Sequence, residues 1–582
     1  MVSFDGLGGV RLGQLLDAGL LRAGGFAAFV ERGVVAGRAV TVTPSQTSVA
    51  HVAAITGAPP SRTGIVGNVF QRAGDPFGTS VSGFGAEIEV ETLWEAAIRQ
   101  GKRVGVLVYP GADGTTARRR GSFGLLWPDR PLLGAKVLRL TRENWEPTAP
   151  LADSFSQPRA AAMTIETPGG PRSLRMLALD STNDGVVNFD VVRIAGGDSG
   201  RQLASVREGG WFRLDAPGGA ESGETGAWCR LAAIDPHLES VVLYVGAFYG
   251  VQAYPEDYRR RLMAAVGPWP GQADPVFVRG DPSLRSAEAF EEQSTRLSDY
   301  LTRALLTTIR TERWDLLVHY QPAVDEMEHA FEPGGPGQQT RAAGSSAIGP
   351  DWISRAYQDA DLTLARILEA LGSGDSLFAL SDHGMSHVEQ AVDLERFLAM
   401  RGWRCVRGAT PDEGGTGRDV HVCASSGIAH LYLRHDAAGR LSPDLLAVLR
   451  ADLGRLSLEY DVPFEAILGR ADLHDAGLDH PNSGDLVVLL RPGYVFERGP
   501  DDTTVLFSSH SSGAHGYRNT HPELDASFLA LGPRVRRGHP AIVSLLDAAS
   551  EVARALGIEP PGRSIERTRE PDVNGSLGHG LR

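Results

Sequence analysis

A chain of 582 residues, 42 % of them hydrophobic, is too long for one small module and can bury more than one core. Its formal net charge of -14 argues against nucleic-acid binding, which relies on clustered Lys and Arg, and its longest apolar runs fall well short of the roughly 18 residues of a membrane helix. Cys229, Cys405 and Cys423, odd in number and far apart, support neither a disulfide framework nor a cysteine zinc site.

The chain opens MVSFDG, with four residues ahead of Asp5 where a buried strand usually has about five or six. Further residues upstream, with an export signal among them, are therefore expected, and a periplasmic or extracellular compartment with them; without such a signal the compartment would be the cytoplasm. In PSQTSVAHVAAITG, residues 44–57, Thr47 precedes a run of small and apolar residues and reads as the N-cap of a helix. VETLWEAAIRQG then predicts a helix feeding the strand RVGVLVYPG at 103–111. The dense basic run ARRRG, 117–121, reads as a solvated loop.

From 150 to 275 the chain is rich in Gly, Ser and Pro, with short β-like runs (AAAMTIET, VVNFDVVRI, SVVLYVGAF) and turn signals such as TNDG. Helical periodicity returns in EQSTRLSDYLTRALLTTIRTE before the strand WDLLVHYQP (314–322), and in SRAYQDADLTLARILEALGSG before SLFALSDHG (376–384). Residues 391–505 mix strands (IAHLYLRH, GDLVVLLRPGY) with the helix SPDLLAVLRADLGRL. The alternation predicts an α/β fold: a mostly parallel central sheet with helices on both faces. Its core would comprise 1–149, 276–390 and 506–582, with an inserted β-rich subdomain at 150–275 and a smaller α+β cap at 391–505.

Continuous hydrophobic strands of an open α/β sheet present ligands at their carboxyl ends. The polar residues placed there are Asp5 in VSFDGLGG, Asp325 and His329 in VDEMEH, Asp382 and His383 in LSDHGM, and His515 in SGAHGY. Singly each has an ordinary explanation as a turn residue or surface pair. Together, three carboxylates and three imidazoles are what two divalent ions of the zinc type would use.

The order of VSFDGL, TPSQTSVAHVAAITGAPPSRTGIVGN, TLWEAAIRQGKRVGVLVYPGAD, VDEMEH, LSDHGM and AHGYRNTHPELDASFLALGP resembles the alkaline phosphatase superfamily, and more closely its nucleotide pyrophosphatase/phosphodiesterase branch. The resemblance implies an alkaline phosphatase-like fold and two ions, Zn2+ first with Mn2+ or Mg2+ as alternatives. One would be held by Asp325, His329 and His515, and the other by Asp5, Asp382 and His383 with the Thr47 hydroxyl beside it. It further implies that Thr47 attacks phosphorus to form a phosphothreonine, that Asn68 donates to a phosphate oxygen, and that the substrate is a small phosphate ester, a diester or pyrophosphate. Ser48 stands where that branch has an aromatic residue, and Tyr109 where its loop has tryptophan.

A phosphomonoesterase of the same superfamily is the main alternative, with Arg118 to Arg120 as cations for the extra charge of a monoester. A non-catalytic metal-binding relative is a minor one, and the segment after Thr47 lacks the Cys/Ser-x-Pro-x-Arg pattern of sulfatases. His51 is read as a packed helix residue. His387, His510 and His521 are left outside the ligand set. Oligomeric state stays open.

Overall fold

The computed structural model describes residues 1–197, 201–217, 224–333, 351–408, 417–435, 440–535 and 538–562. Contacts divide the chain into two compact units, Met1–Gly124 with Ile309–Arg582, and Leu125–Thr308. The fold is mixed α/β, built around a large multi-stranded sheet.

In the first unit the sheet centres on β1 (Val2–Phe4), β2 (Val104–Leu107), β3 (Leu316–Gln321), β4 (Leu377–Leu380) and β5 (Phe528–Leu531). β1 lies between β3 and β4 and is parallel to both, and β2 is parallel to β3. β5 is antiparallel to β4. Every residue of β1 to β4 is buried, as uninterrupted apolar runs in a covered parallel sheet require. One edge of the sheet therefore collects the carboxyl ends of β1, β3 and β4 and, because β5 runs the other way, the residues that enter β5.

Two helices open at that edge. α1 (Thr47–Thr56) is buried along its whole length, which its Ala, Val and Ile residues permit, and ends on the left-handed Gly57. α2 (Ala323–Phe331) follows β3 directly. The expected N-cap is corrected by one residue: α1 begins at Thr47, Gln46 occupies the N-cap position, and neither gives a side-chain cap bond. Thr47 Oγ1 faces another partner, described below, so the cap reading of the hydroxyl fails.

The same unit contains a second sheet, ordered Arg404–Cys405, Asp419–Ser425, Ile428–Leu433, Leu486–Leu490, Phe464–Gly469. Leu449, Leu453 and Leu456 of the helix Pro443–Tyr460 share a core with Val420, Leu431 and Val488 of that sheet.

The second unit is made largely of two antiparallel sheets, one of strands between Glu146 and Val206 and one joining Lys136–Thr141 to strands between Trp211 and Val245. Leu174, Met176 and Ile194 from one sheet and Leu214, Leu231 and Leu243 from the other form one core. Lys136–Thr141 pairs along its length with Ser240–Val245, so the unit reaches back to 125 and is wider than the 150–275 that composition suggests. Within VVNFDVVRI only the portion from Val191 is strand. Asp184 accepts from Val186 N–H, and Asn188 Nδ2 donates to Asp184, so local polar bonds hold the first half as a turn. Among the described residues no helix is long and apolar enough to cross a membrane.

Candidate metal centre

Asp5 follows β1, Asp382 and His383 follow β4, Asp325 and His329 lie on α2, and His515 lies on the segment leading to β5. Donor atoms of Asp5, Asp382 and His383 all fall within 4.8 Å of one another, as do those of Asp325, His383 and His515. His383 Nε2 is 2.9 Å from Asp382 Oδ2 and 3.5 Å from Asp5 Oδ1. His515 Nε2 is 3.8 Å from Asp325 Oδ1, and the His383 and His515 rings stack at 3.8 Å. His329 lies outside the two tight groups but beside them, with Nε2 3.5 Å from Asp325 Oδ2 and its ring 5.1 Å from His515. His383, expected on one set alone, is common to both groups.

Two observations test whether these residues suit a cation. The first is the tautomer the backbone imposes. His329 Nδ1 lies 2.7 Å from Gly513 O, His383 Nδ1 3.0 Å from Gly384 O, and His515 Nδ1 2.8 Å from Ser45 O. A carbonyl only accepts, so each Nδ1 carries the proton and each Nε2 presents its lone pair, as metal-binding imidazoles do. The second is a set of unsatisfied oxygens: Asp5 Oδ1 and Asp325 Oδ1 are buried without a hydrogen-bond partner, and Asp382 Oδ2 has only the imidazoles of His383 and His51 beside it, a costly state for carboxylates unless a cation completes them. The donor separations also bracket the ~3.3 Å edge of a tetrahedron around an ion with bonds of ~2.0 Å. The residues fit.

Burial pushes the Asp5 carboxyl well above the ordinary range, and the charges of Asp382 and Asp325 add to the effect. Burial acts the same way on Asp382, but His383 and His51 outweigh it and hold that carboxyl well below its usual value. For His383 burial favours the neutral ring, yet Asp382 raises it overall. Burial, then His383 and His329, keep His515 neutral. Without a cation, one carboxylate of the group takes up a proton so that its neighbour can stay ionised.

Thr47, 6 % exposed, places Oγ1 3.4 Å from His383 Nε2. Asn68 comes to the start of α1 with Oδ1 accepting from Ser48 N–H at 3.0 Å and from Ser48 Oγ at 2.8 Å. Sequence reasoning set His51 aside; it is fully buried, with Nδ1 2.9 Å from Thr47 O and 3.2 Å from Asp382 Oδ2, and Nε2 2.8 Å from Ser3 Oγ. Its spacing of one turn from Thr47 was the available signal. Tyr320, which donates to Asp5 Oδ2 at 2.5 Å, was also missed, although it stands two residues from the end of WDLLVHYQP. Tyr109 is buried, packs edge-on to His51 at 5.1 Å and donates to His51 O, a structural part. Arg118 pairs with Glu95 and Glu87, and Arg119 is buried on Asp113 and the carbonyls of Phe84 and Ala86.

Buried carboxylates and Nε2 lone pairs converging on a hydroxyl at a helix start, where N–H groups attract anions, are suited to phosphoric ester hydrolysis, and that is the class of enzyme to which the chain belongs. More narrowly, it is a member of the type I phosphodiesterase / nucleotide pyrophosphatase family, matched over residues 1–170 and 234–518. No curated protein matches it. Among solved structures it is similar to murine ectonucleotide pyrophosphatase / phosphodiesterase 5, at 14 % identity over 96 % of this chain and 95 % of that one, TM-score 0.49. The human counterpart aligns at 13 % identity over 96 % and 94 %, TM-score 0.49. Phosphonoacetate hydrolase from Sinorhizobium meliloti 1021 aligns at 15 % over 96 % and 94 %, TM-score 0.48.

Proposed function

We propose that the enzyme is a two-metal phosphodiesterase or nucleotide pyrophosphatase that works through a phosphothreonine at Thr47. One ion would be held by Asp325, His329 and His515, and the second by Asp5, Asp382 and His383 with Thr47 Oγ1 beside it. The mixture of imidazole nitrogen and carboxylate oxygen favours Zn2+ over Mn2+ or Mg2+. The observation that carries the reading is the 3.4 Å between Thr47 Oγ1 and Nε2 of His383, the residue common to both donor groups.

When bound, the cations would stabilise the threonine alkoxide and neutralise charge on the phosphoryl oxygens. Thr47 Oγ1 gives up its proton to solvent and attacks phosphorus in line, its new bond forming as the ester P–O bond opposite breaks, and the leaving alkoxide takes a proton from water. Asn68, whose Oδ1 is occupied by Ser48, has its NH2 left to donate to a non-bridging oxygen, and the first-turn N–H groups of α1 favour the same negative charge. Water then attacks from the vacated side, losing a proton to solvent, and the Oγ1–P bond breaks as Oγ1 takes a proton back to return the hydroxyl.

Engagement of Arg118 and Arg119 with acids and carbonyls supports a diester over a monoester, whose extra charge would call for free cations. The net charge of -14 supports a small substrate over a nucleic acid, and residues 391–505 are proposed as a cap on the catalytic core. The test compares bis-p-nitrophenyl phosphate, a thymidine 5'-nitrophenyl ester and p-nitrophenyl phosphate in wild type and Thr47→Ala. Diester turnover should exceed monoester turnover by more than about tenfold, and Thr47→Ala should lower kcat by about 10^3-fold or more with ion content unchanged. Preference for the monoester by orders of magnitude would instead establish the phosphomonoesterase reading.

A further inference from the structure

The two neighbours of Thr47 both fasten the loop that carries Asn68. Gln46, fully buried, uses both ends of its amide: Oε1 accepts from Asn68 N–H at 2.8 Å, and Nε2 donates to Ser425 O at 2.8 Å. Ser48, also fully buried, directs its backbone N–H and its hydroxyl at Asn68 Oδ1, 3.0 and 2.8 Å away. Gly83 closes over this contact. Its N–H donates to Asn68 O at 2.9 Å, and a Cβ at that position would lie 2.4 Å from Ser48 Oγ.

A carboxamide has one accepting end and one donating end, and rotation about its last torsion exchanges them. Here the backbone N–H of Ser48 can only donate. Turning the Asn68 amide over would set its NH2 against that N–H inside a packed site, and would exchange the hydroxyl's 2.8 Å bond to Oδ1 for its longer alternative, Gly67 O at 3.3 Å. We infer that Ser48 is a positioning residue, whose two donors fix the Asn68 amide with NH2 outward and so keep a donor ready for a non-bridging phosphoryl oxygen. The inference rests on phosphoryl transfer at Thr47 as proposed above. It gives the hydroxyl of residue 48 a role in stabilising charge that develops in the transition state, with no contact between that hydroxyl and the substrate.

A double-mutant cycle on the metal-loaded enzyme with bis-p-nitrophenyl phosphate tests it, with ion content and melting temperature measured for each variant. Ser48→Ala, which keeps the backbone N–H and removes the hydroxyl, should lower kcat and kcat/KM together by about 5- to 10-fold, with KM and ion content unchanged. In the Asn68→Ala background the same substitution should change kcat by less than about twofold. Asn68→Asp keeps an acceptor for Ser48 but has no donor, and should lose as much activity as Asn68→Ala. Independent, additive losses from Ser48→Ala and Asn68→Ala, a change confined to KM, or unchanged kinetics in Ser48→Ala would overturn the positioning role. Unimpaired turnover in Asn68→Ala would overturn the positioning role as well, whereas unimpaired turnover in Thr47→Ala would overturn the phosphothreonine reading itself, which separates the two failures.

Discussion

The Asn68 loop is held from a second side by an imidazole whose protonation state the fold dictates. His430, 1 % exposed, has Nε2 3.0 Å from Val66 O and Nδ1 accepting from Gly484 N–H at 3.2 Å, which fixes the neutral Nε2–H tautomer. Burial lowers its pKa to about 4 from 6.5. Between those two values the unfolded chain binds a proton that the folded chain refuses, so stability declines as pH falls through the window, approaching a loss of about 3 kcal/mol near pH 4. Urea unfolding of the chelator-treated protein should therefore show a falling midpoint from pH 6.5 to 4. His430→Gln should have a flatter profile over that range and a lower plateau above it. A profile for His430→Gln that runs parallel to wild type would show that the pH dependence arises elsewhere.

At the scale of elements, the register between the end of β1 and the start of α2 decides whether Asp5 and Asp325 can share a site. Gly6 takes φ +69°, and a Cβ added there would stand 2.9 Å from Asp325 Cα. The obstacle is backbone, so no rotamer change relieves it, and the positive φ adds strain of its own. Gly6 N–H also donates to Asp382 Oδ1 at 3.2 Å, and Asp325 N–H to Asp5 O at 3.2 Å. The neighbouring helix Gly9–Asp17 adds Arg11, whose guanidinium bridges Glu328 on α2 at 2.7 Å and Glu332, just past its end, at 2.5 Å; Glu328 is still pushed up to about 8, by burial. Gly6→Ala should displace the first turn of α2, cost about 2 kcal/mol or more, and weaken metal binding by at least about 10-fold. Gly13→Ala is the control: nothing lies within 4 Å of its would-be Cβ, and in a helix interior it should stabilise by about 0.5–1 kcal/mol. Chelator competition and thermal melting of the two variants read both effects.

Across the whole molecule, the candidate ligands are separated by as many as 510 positions, from Asp5 to His515, yet they were the most legible part of the sequence. Asp5, Asp382 and His383 closely follow apolar strand runs and Asp325 comes three residues after WDLLVHYQP, a punctuation that survives without knowledge of the partner strands, whereas His329 and His515 carry no such mark. What holds the ligands was not legible. Ser45 O receives Nδ1–H of His515 from 470 residues away, and nothing local to PSQTS marks that carbonyl. The limit of the second unit was hidden in the same way, because Lys136–Thr141 belongs with Ser240–Val245 and such long-range pairing leaves no trace in local composition. A site assembled from such distant segments should couple to global stability through its ions. The buried carboxylate oxygens Asp5 Oδ1 and Asp325 Oδ1, without hydrogen-bond partners, burden the metal-free fold, while bound cations stabilise it in proportion to RT ln(1 + [L]/Kd), about 2.7 kcal/mol at a hundredfold excess over Kd. Chelation should lower the melting temperature, and added Zn2+ should restore it progressively with the logarithm of its concentration. Asp5→Asn makes the argument two-sided. It removes the need for that buried carboxyl to take up a proton on folding and keeps an acceptor for the Tyr320 hydroxyl, so near neutral pH the metal-free variant should melt above metal-free wild type while gaining much less from Zn2+. If chelator leaves wild type unmoved and Asp5→Asn melts lower in both states, the carboxylates are balanced within the protein and the centre holds no ion.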